Sequence, residues 1–471
     1  MPTLQFLGAA GTVTGSKYVL EAGGSPRSNQ GERLMIDCGL FQGPKELRQR
    51  NWDPLPISPA SIRWLVLTHA HLDHVGYIPR LVKEGFAGEI LATGATVELA
   101  RLTLPDSGHL QEEDAEYANL KKFSKHSPAL PLYTEEEAIK SLEKLRAIDE
   151  SKPLELSPHF SLRFFRAGHI LGARSIEVTV RENGGACRVL FSGDLGRNHQ
   201  LIIREPAAVD GADYLLVEST YGDRLHPADD YRARLAEIVE ATVARGGTVV
   251  IPSFAIGRTQ ELLYLFRQLM AEGKMHSTPI HVDSPMAIDV TEIYRRHHED
   301  HNLETTELED EGRRPFSPPE VHFDRTREES LALNALRSPA IIISASGMAT
   351  GGRVLHHLAR CLPDHRNTIL FVGYQGAETR GRTIQSGAPT VKIHGQDVPI
   401  RARVETIENL SAHGDYSEIL QWLGRFPKAP GETFIVHGEP EPAESLRQKV
   451  RGQLGWSARA ANYLEKVSLK V

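Results

Sequence analysis

The chain is poor in cysteine. Cys38, Cys187 and Cys361 are its only three, far apart and without a Cys-x-x-Cys pair. That excludes a disulfide framework and a thiolate zinc knot, and it predicts free, mostly buried thiols in a reducing compartment, the cytoplasm. The sequence also lacks any apolar run near the ~18 residues that mark a membrane helix, so no membrane span is expected. The opening MPTLQFLGAAGTVTGSKYVL has no basic segment followed by a long apolar one, and so carries no sign of a secretory signal. Net positive charge is lacking too, the formal balance being −7. A protein coated in basic surface is excluded, and any nucleic-acid binding must come from a local basic groove. What remains, 40% hydrophobic and 24% charged over 471 residues, is ordinary for a soluble globular protein. That length suggests about two to three domains.

Histidine is where the sequence is distinctive. The apolar run Ile62–Leu67 predicts a buried strand, and it ends in Thr68-His69-Ala70-His71-Leu72-Asp73-His74. From Asp73 onward DHVGYIPRLVKEG reads as a short helix closed by Gly85. His69 and His71, two apart in extended chain, point to the same side. Asp73 and His74 begin the helix and can face a second metal. Imidazole nitrogens with a carboxylate oxygen suit Zn²⁺, Mn²⁺ or Fe²⁺, and the lack of thiolates argues against a purely structural zinc.

Other strands repeat the pattern of a rigid strand with a polar residue at its end. Leu4–Leu7, Tyr18–Leu20 and Leu34–Asp37, separated by the turns GAAGTVTGS and EAGGS, predict a hairpin-rich start. Asp37 either caps a turn or orients a metal-bound histidine. Residues 88–105 read as strand then helix, and 106–150 as helical and charged, with Thr134 opening a capping box. His109 and His126 have no partner pattern and are assigned to surface or packing. Leu162–His169 and Arg188–Asp194 are strands ending in His169 and Asp194 beside glycines, and Ala212–Glu218 is a strand ending in Glu218. A long stretch with its own α/β rhythm follows. Helices are expected at Tyr231–Arg245, Thr259–Glu272 and Gly352–Cys361, and strands at Gly247–Pro252, Ile280–Val282, Pro339–Ser344 and Thr368–Gly373. Alternation of this kind implies a parallel sheet covered on both faces. Residues 299–320, acidic then proline-rich, read as a mobile or peripheral loop. Core-like elements then resume with Ser411-Ala-His413-Gly-Asp, a helix Ser417–Phe426, Glu432–His437 ending in Val-His437-Gly-Glu, a helix Glu441–Leu454 and a strand Lys466–Val471.

A strand ending in HxHxDH resembles the metallo-β-lactamase superfamily. Glu218, Ser-Ala-His413-Gly-Asp and Val-His437-Gly-Glu resemble motifs A, B and C of its β-CASP nucleases. PSFAIGRTQELL (252–263), VDSPMA (282–287), ISASGMATGGRVLHHL (343–358) and VGYQGAETRGRTI (372–384) extend the similarity over essentially the whole chain. The wording of motif B is closer to the branch of the cleavage-and-polyadenylation endonuclease and its prokaryotic homologues than to the RNase J branch. The resemblance implies an αβ/βα metallo-β-lactamase sandwich made of residues 1–205 together with 406–471, and an inserted α/β β-CASP domain at 206–405.

It also implies roles. His69, His71 and His169 would bind one metal, Asp73, His74 and His437 the other, with Asp194 bridging and Asp37 behind them; two Zn²⁺ ions are expected, with Mn²⁺ the alternative. From chemistry alone either His413 or His437 could bind metal; the motif wording makes His413 a general acid held cationic by Glu218. The implied reaction is hydrolysis of single-stranded RNA by a hydroxide activated by two metals, leaving 5′-phosphate and 3′-hydroxyl ends, endonucleolytic with 5′-exonuclease action left open. Ser346, Gly347, Gly351, Gly352 and Arg353 form a glycine-rich strand-to-helix turn that is either a phosphate cradle or a simple tight turn. Arg353, Arg380, Arg382, Lys392, Arg401 and Arg403 face only Asp364, Glu378 and Asp397, which gives a basic groove or a solvated basic face; Arg258 and Ser284 are further cleft candidates. Two readings compete. A small-molecule metallohydrolase of thioesterase or lactonase type needs no long insert and no separate acid, and a non-catalytic RNA-binding scaffold needs no intact ligand set. Oligomeric state is open, a homodimer included.

Overall fold

The computed structural model describes residues 1–24, 31–122, 126–336, 338–373, 375–376 and 378–471. Ser25 of the expected EAGGS turn, residues 123–125 of the expected helical segment, and Tyr374 and Ala377 of the 372–384 stretch lie outside the described residues. The chain divides into two compact units. The first is Met1–His199, Glu205–Leu225 and His413–Val471; the second is Gln200–Arg204 and His226–Ala412.

The first unit holds two seven-stranded sheets whose strands lie almost in chain order. One runs Thr3–Phe6, Tyr18–Ala22, Glu32–Ile36, Ile62–Val66, Glu89–Ala92, Leu145–Ala147, with Lys466–Ser468 paired outside Thr3–Phe6. The other runs Leu154–Glu155, Phe160–Arg166, Arg174–Glu182, Gly185–Phe191, Tyr214–Glu218, Glu432–Val436, Ala458–Ala460. Strand alternation decides the layers. Leu34, Ile36, Trp64 and Val66 turn inward and share one core with Ile176, Val178, Val189 and Phe191 of the facing sheet. Met35 and Leu65 turn outward against Ile78, Leu81, Val97 and Leu104. On the far side Leu190, Leu215 and Ile435 pack against Ile419, Trp422, Leu446 and Val450. The layering is that of an αβ/βα sandwich.

The second unit is a six-stranded sheet in the order Val321–Phe323, Ile280–Val282, Ile341–Ser344, Val249–Pro252, Thr368–Val372, Arg403–Ile407, with all neighbours parallel. Its central strands are buried throughout, as the uniform Val-Val-Ile and Ile-Ile-Ile runs require of a sheet covered on both faces. A hairpin of Thr390–Ile393 and Gln396–Pro399 stands apart from that sheet.

Several expectations need correcting. The divide is not 206–405: Tyr214–Glu218 pairs with both Gly185–Phe191 and Glu432–Val436 and belongs to the first unit, while residues 406–412 belong to the second. The loop expected at 299–320 contains the helix Leu303–Asp310, capped by Asn302. The helix after Asp73 is two pieces, Leu72–Val75 and Ile78–Lys83. The helix after Glu89–Ala92 runs on from Gly94 to Lys121 with Pro105 inside it, and the capping box at Thr134 is present. All three cysteines are buried free thiols, and burial pushes Cys38 and Cys187 up to about 12. Among the described residues, no helix is long and apolar enough to cross a membrane.

Candidate metal centre

Strand direction gathers the site. Glu32–Ile36 and Ile62–Val66 are parallel, so Asp37 and His69 leave the same edge of their sheet. In the other sheet Gly185–Phe191, Tyr214–Glu218 and Glu432–Val436 are parallel. Phe160–Arg166 runs the same way, two antiparallel steps removed. Thus His169, Asp194, Glu218 and His437 all stand at the ends of strands on one rim.

The turn after Glu32–Ile36 is tied to the histidine motif by its backbone. Cys38 N donates to His74 O at 2.7 Å and Leu40 N to Leu72 O at 2.9 Å. Gly39 permits this approach, because a Cβ there would lie 1.6 Å from the Asp73 carbonyl oxygen. Asp37, at φ 56°, uses its whole carboxylate. Oδ1 accepts from Thr68 N at 2.7 Å; Oδ2 accepts from Thr68 Oγ1 and from His74 Nδ1, both at 2.7 Å. His74 Nδ1 therefore carries a proton and its Nε2 faces the cluster. With its proton given to Asp37, Thr68 Oγ1 accepts from His69 Nδ1 at 3.1 Å, which turns His69 Nε2 the same way.

Two sets of ligand atoms result, each lying within 4.8 Å: His69, His71, His169 and Asp194, and Asp73, His74 and His437. In the first, His71 Nδ1 is 3.2 Å from both His69 Nε2 and His169 Nε2, and Asp194 Oδ2 is 3.4 and 3.5 Å from those two atoms. In the second, His74 Nε2 is 3.2 Å from His437 Nε2, and His437 Nε2 is 3.4 Å from Asp73 Oδ2. Asp194 Oδ1 lies 3.2 Å from His74 Nε2, so one carboxylate serves both sets. Metal–nitrogen bonds of ~2.0–2.1 Å in tetrahedral geometry require donors ~3.3 Å apart. The spacing fits such ions. Protonation agrees: burial pushes His69 and His169 well below the ordinary histidine range, and His71 down to about 4, so these rings are neutral. His74 differs: burial opposes its charge as well, but the Asp194 and Asp37 carboxylates outweigh it and raise its pKa, so an ion at Nε2 would take the place of a proton there.

Beside Asp194 stands the pair of Glu218 and His413. Glu218 is fully buried, and its Oε1 accepts from Leu195 N at 2.7 Å and from His413 Nδ1 at 3.1 Å, while Oε2 accepts from Thr220 N at 3.1 Å. His413 Nδ1 is 4.0 Å from Asp194 Oδ2, and its side chain is 21% exposed. Burial disfavours the imidazolium, but Glu218, with Asp194 and Asp73 beyond it, raises its pKa to about 9. Thr220, to which sequence reasoning gave no role, has a hydroxyl that donates to His437 O at 3.3 Å and can accept from His437 Nδ1 at 3.2 Å. Its only sequence signal is its place two residues after Glu218.

The expected phosphate residues behave differently. Arg353 Nη1 donates to Asp283 Oδ1 at 2.7 Å and Asp324 O at 3.1 Å, and Nη2 to Arg325 O at 2.9 Å. Arg258 is buried, its Nε on Glu261 and its Nη1 on Val372 O. Arg380 donates to Lys392 O and Thr350 O. Ser284 caps the helix Pro285–Arg296 by accepting from Ala287 N, and Ser346 accepts from Thr350 N. Gly347 packs against Phe254, Gly351 faces open space, and Gly352 has φ 76°. At the following helix the Val354 and Leu355 amides donate to Ala345 O and Gly352 O. The turn and its arginines thus hold the second unit together.

Family models match in three blocks: residues 18–245 the metallo-beta-lactamase superfamily, 259–384 the Beta-Casp domain, and 397–461 the Zn-dependent metallo-hydrolase RNA specificity domain. Over 450 residues the chain is 37% identical to a protein of Thermus thermophilus named a ribonuclease, covering 95% of this chain and 96% of that one. It is 30% identical to an RNase J-like protein of Methanocaldococcus jannaschii, covering 86% of this chain and 87% of that one. It is 31% identical to the transcription termination factor FttA of the same organism, where 89% of this chain spans 65% of the relative. A crystal structure of a protein of unknown function from Enterococcus faecalis shares the fold at 11% identity, with TM-score 0.53 over 99% of this chain and 100% of that one.

Asp37→Asn turns one of two acceptor oxygens into a donor, so Thr68 N or the Thr68 Oγ1 and His74 Nδ1 pair loses its acceptor, and metal affinity measured by chelator competition is expected to fall about 10–100-fold. Arg353→Gln leaves Asp283 short of a partner in a fully buried site. It is expected to cost about 3 kcal/mol, read as a lowered urea midpoint, with RNA affinity unchanged.

Proposed function

The chain belongs to the β-CASP family of metallo-β-lactamase-fold nucleases, and from that premise we propose that it is a ribonuclease that hydrolyses phosphodiester bonds within single-stranded RNA using two divalent metal ions. The observation that carries the proposal is the pair of ligand sets sharing Asp194, with His413 and Glu218 alongside. The ribonuclease and RNase J-like names of two relatives and the match to an RNA specificity domain support RNA as the substrate.

His69, His71 and His169 would hold one ion and Asp73, His74 and His437 the other, with Asp194 shared. Zn²⁺ suits this nitrogen-rich, thiolate-free set, and Mn²⁺ is the alternative. Such ions supply charge to the oxygens of a phosphate and lower the pKa of water. The chain's own residues do the rest. Asp37 and Thr68 fix the tautomers of His74 and His69, so that Nε2 of each faces inward. Glu218, anchored by two backbone amides, holds a proton on His413 Nδ1. The opposite ring nitrogen, Nε2, donates its proton to the departing 3′-oxygen. Burial of Glu218 gives this ion pair its strength, because a fully buried carboxylate needs a positive partner.

Cleavage of a 5′-labelled single-stranded RNA tests the reading. Internal fragments are expected from the wild type. Asp73→Ala should abolish cleavage, and His413→Ala should slow it about 10²–10⁴-fold. A substrate whose leaving oxygen is replaced by sulfur needs no proton, and it should restore the His413→Ala rate. Release of labelled mononucleotide in place of fragments would make the enzyme a 5′ exonuclease, and no cleavage by the metal-loaded chain would reject the proposal. The pH dependence has a defined sign. His413 donates only when protonated, and Glu218 raises its pKa, so activity should fall with rising pH only above the ordinary histidine range. Glu218→Gln removes the largest force raising that pKa, and the descending limb of the pH–rate profile should move to lower pH.

A further inference from the structure

Within the second unit, imidazoles and a carboxylate converge again. His298, His301 and Glu309 present ligand atoms that all lie within 4.8 Å of one another. The backbone explains the meeting. His298–Asp300 is a single 3-10 turn, closed by His301 N donating to His298 O at 3.0 Å. Side chains three apart on such a turn lie one above the other. Asn302 then caps the helix Leu303–Asp310 by accepting from Thr305 N at 2.9 Å, and that helix returns Glu309 to the same face.

One oxygen, Glu309 Oε2, faces both rings, 2.7 Å from His298 Nδ1 and 3.2 Å from His301 Nδ1. Three ligand atoms thus meet around one carboxylate oxygen. His301 is fully buried beside Tyr294 and Phe316, with Nδ1 turned to Glu309. Burial lowers its pKa, so the ring is neutral and can give a lone pair. Glu309 is 14% exposed and His298 55% exposed, which leaves an entry path and a fourth position for water. Donors meant for a tetrahedral ion stand ~3.3 Å apart. The His301 spacing meets that distance, and the half-exposed His298 ring can widen its own.

We propose that His298, His301 and Glu309 bind a further divalent cation of the zinc class, Zn²⁺, Co²⁺ or Ni²⁺, separate from the ions of the nuclease centre. Two imidazoles with one carboxylate oxygen are the donor set such borderline cations prefer. The site fastens the segment Gln200–Arg204 within the second unit. Arg204 N donates to Asp300 O at 2.9 Å and Arg204 Nε to His301 O at 2.7 Å. Asn302 N and Nδ2 donate to Ile202 O and Gln200 O at 2.7 and 2.9 Å. A cation drawing His298, His301 and Glu309 together holds those carbonyls in place.

The full chain, stripped with chelator and titrated with Co²⁺ or Zn²⁺, tests the site against Glu309→Gln and His298→Ala. The second variant removes a half-exposed side chain, so its fold is retained. Bound metal is counted by elemental analysis after desalting, and Co²⁺ is also followed by its visible absorption. The wild type is expected to carry one equivalent more than either variant, with RNA cleavage the same in all three. Equal metal content in the wild type and both variants overturns the proposal, as does a variant that loses more than that one equivalent. The count at this site stands or falls independently of whether RNA is cut.

Discussion

A carboxylate enclosed by imidazoles is stable only when its oxygens are answered, and Asp194 is where that condition bears hardest. It is buried, with Oδ2 between His69 and His169 and Oδ1 against His74. Removing such a charge from water costs several kcal/mol unless cations or donors replace the solvent. The rest of the first unit follows from meeting that cost. Strands of two sheets must end on one rim, Asp37 must set the tautomers, and Gly39 must let its turn reach the Asp73 carbonyl. The same pressure keeps His413 charged, because Glu218 is a second buried carboxylate within reach.

Much of this was legible in the sequence because the signals are local. An apolar run ending in His, Asp or Glu beside glycine marks a strand delivering a group to a rim, and His69, His169, Asp194, Glu218 and His437 all obey it. The uniform runs Ile341–Ser344 and Thr368–Val372 likewise announced buried parallel strands. What failed to show depends on distant partners. Counting charge offered Arg353 and Arg380 as part of a basic groove or a solvated basic face, but a count of cations says nothing of the carbonyls and the buried Asp283 to which they donate. The strand Arg174–Glu182 was hidden by Glu177, a buried acid that its pattern does not explain; Arg163 at 3.0 Å and Arg188 at 3.6 Å do. Residues 299–320 looked loose because their helix is short and acidic, and its cap at Asn302 passed as one more polar residue.

The second unit shows how an insertion can be large without disturbing its host. Tyr214–Glu218 and Glu432–Val436 flank it in the chain and lie side by side in the sheet, paired over five residues from Tyr214↔Glu432 to Glu218↔Val436. The crossover between adjacent parallel strands is usually a single helix. Here that crossover has become a sheet with helices of its own.

That same connectivity sets a clock on synthesis. His413 and His437 are translated only after the whole second unit, whereas His69, His71, Asp73 and His74 leave the ribosome early. A nascent chain therefore carries the first ligands, with neither the closing histidine of the second set nor the partner of Glu218. A centre built in this order cannot close until the whole second unit and the two histidines beyond it have been made.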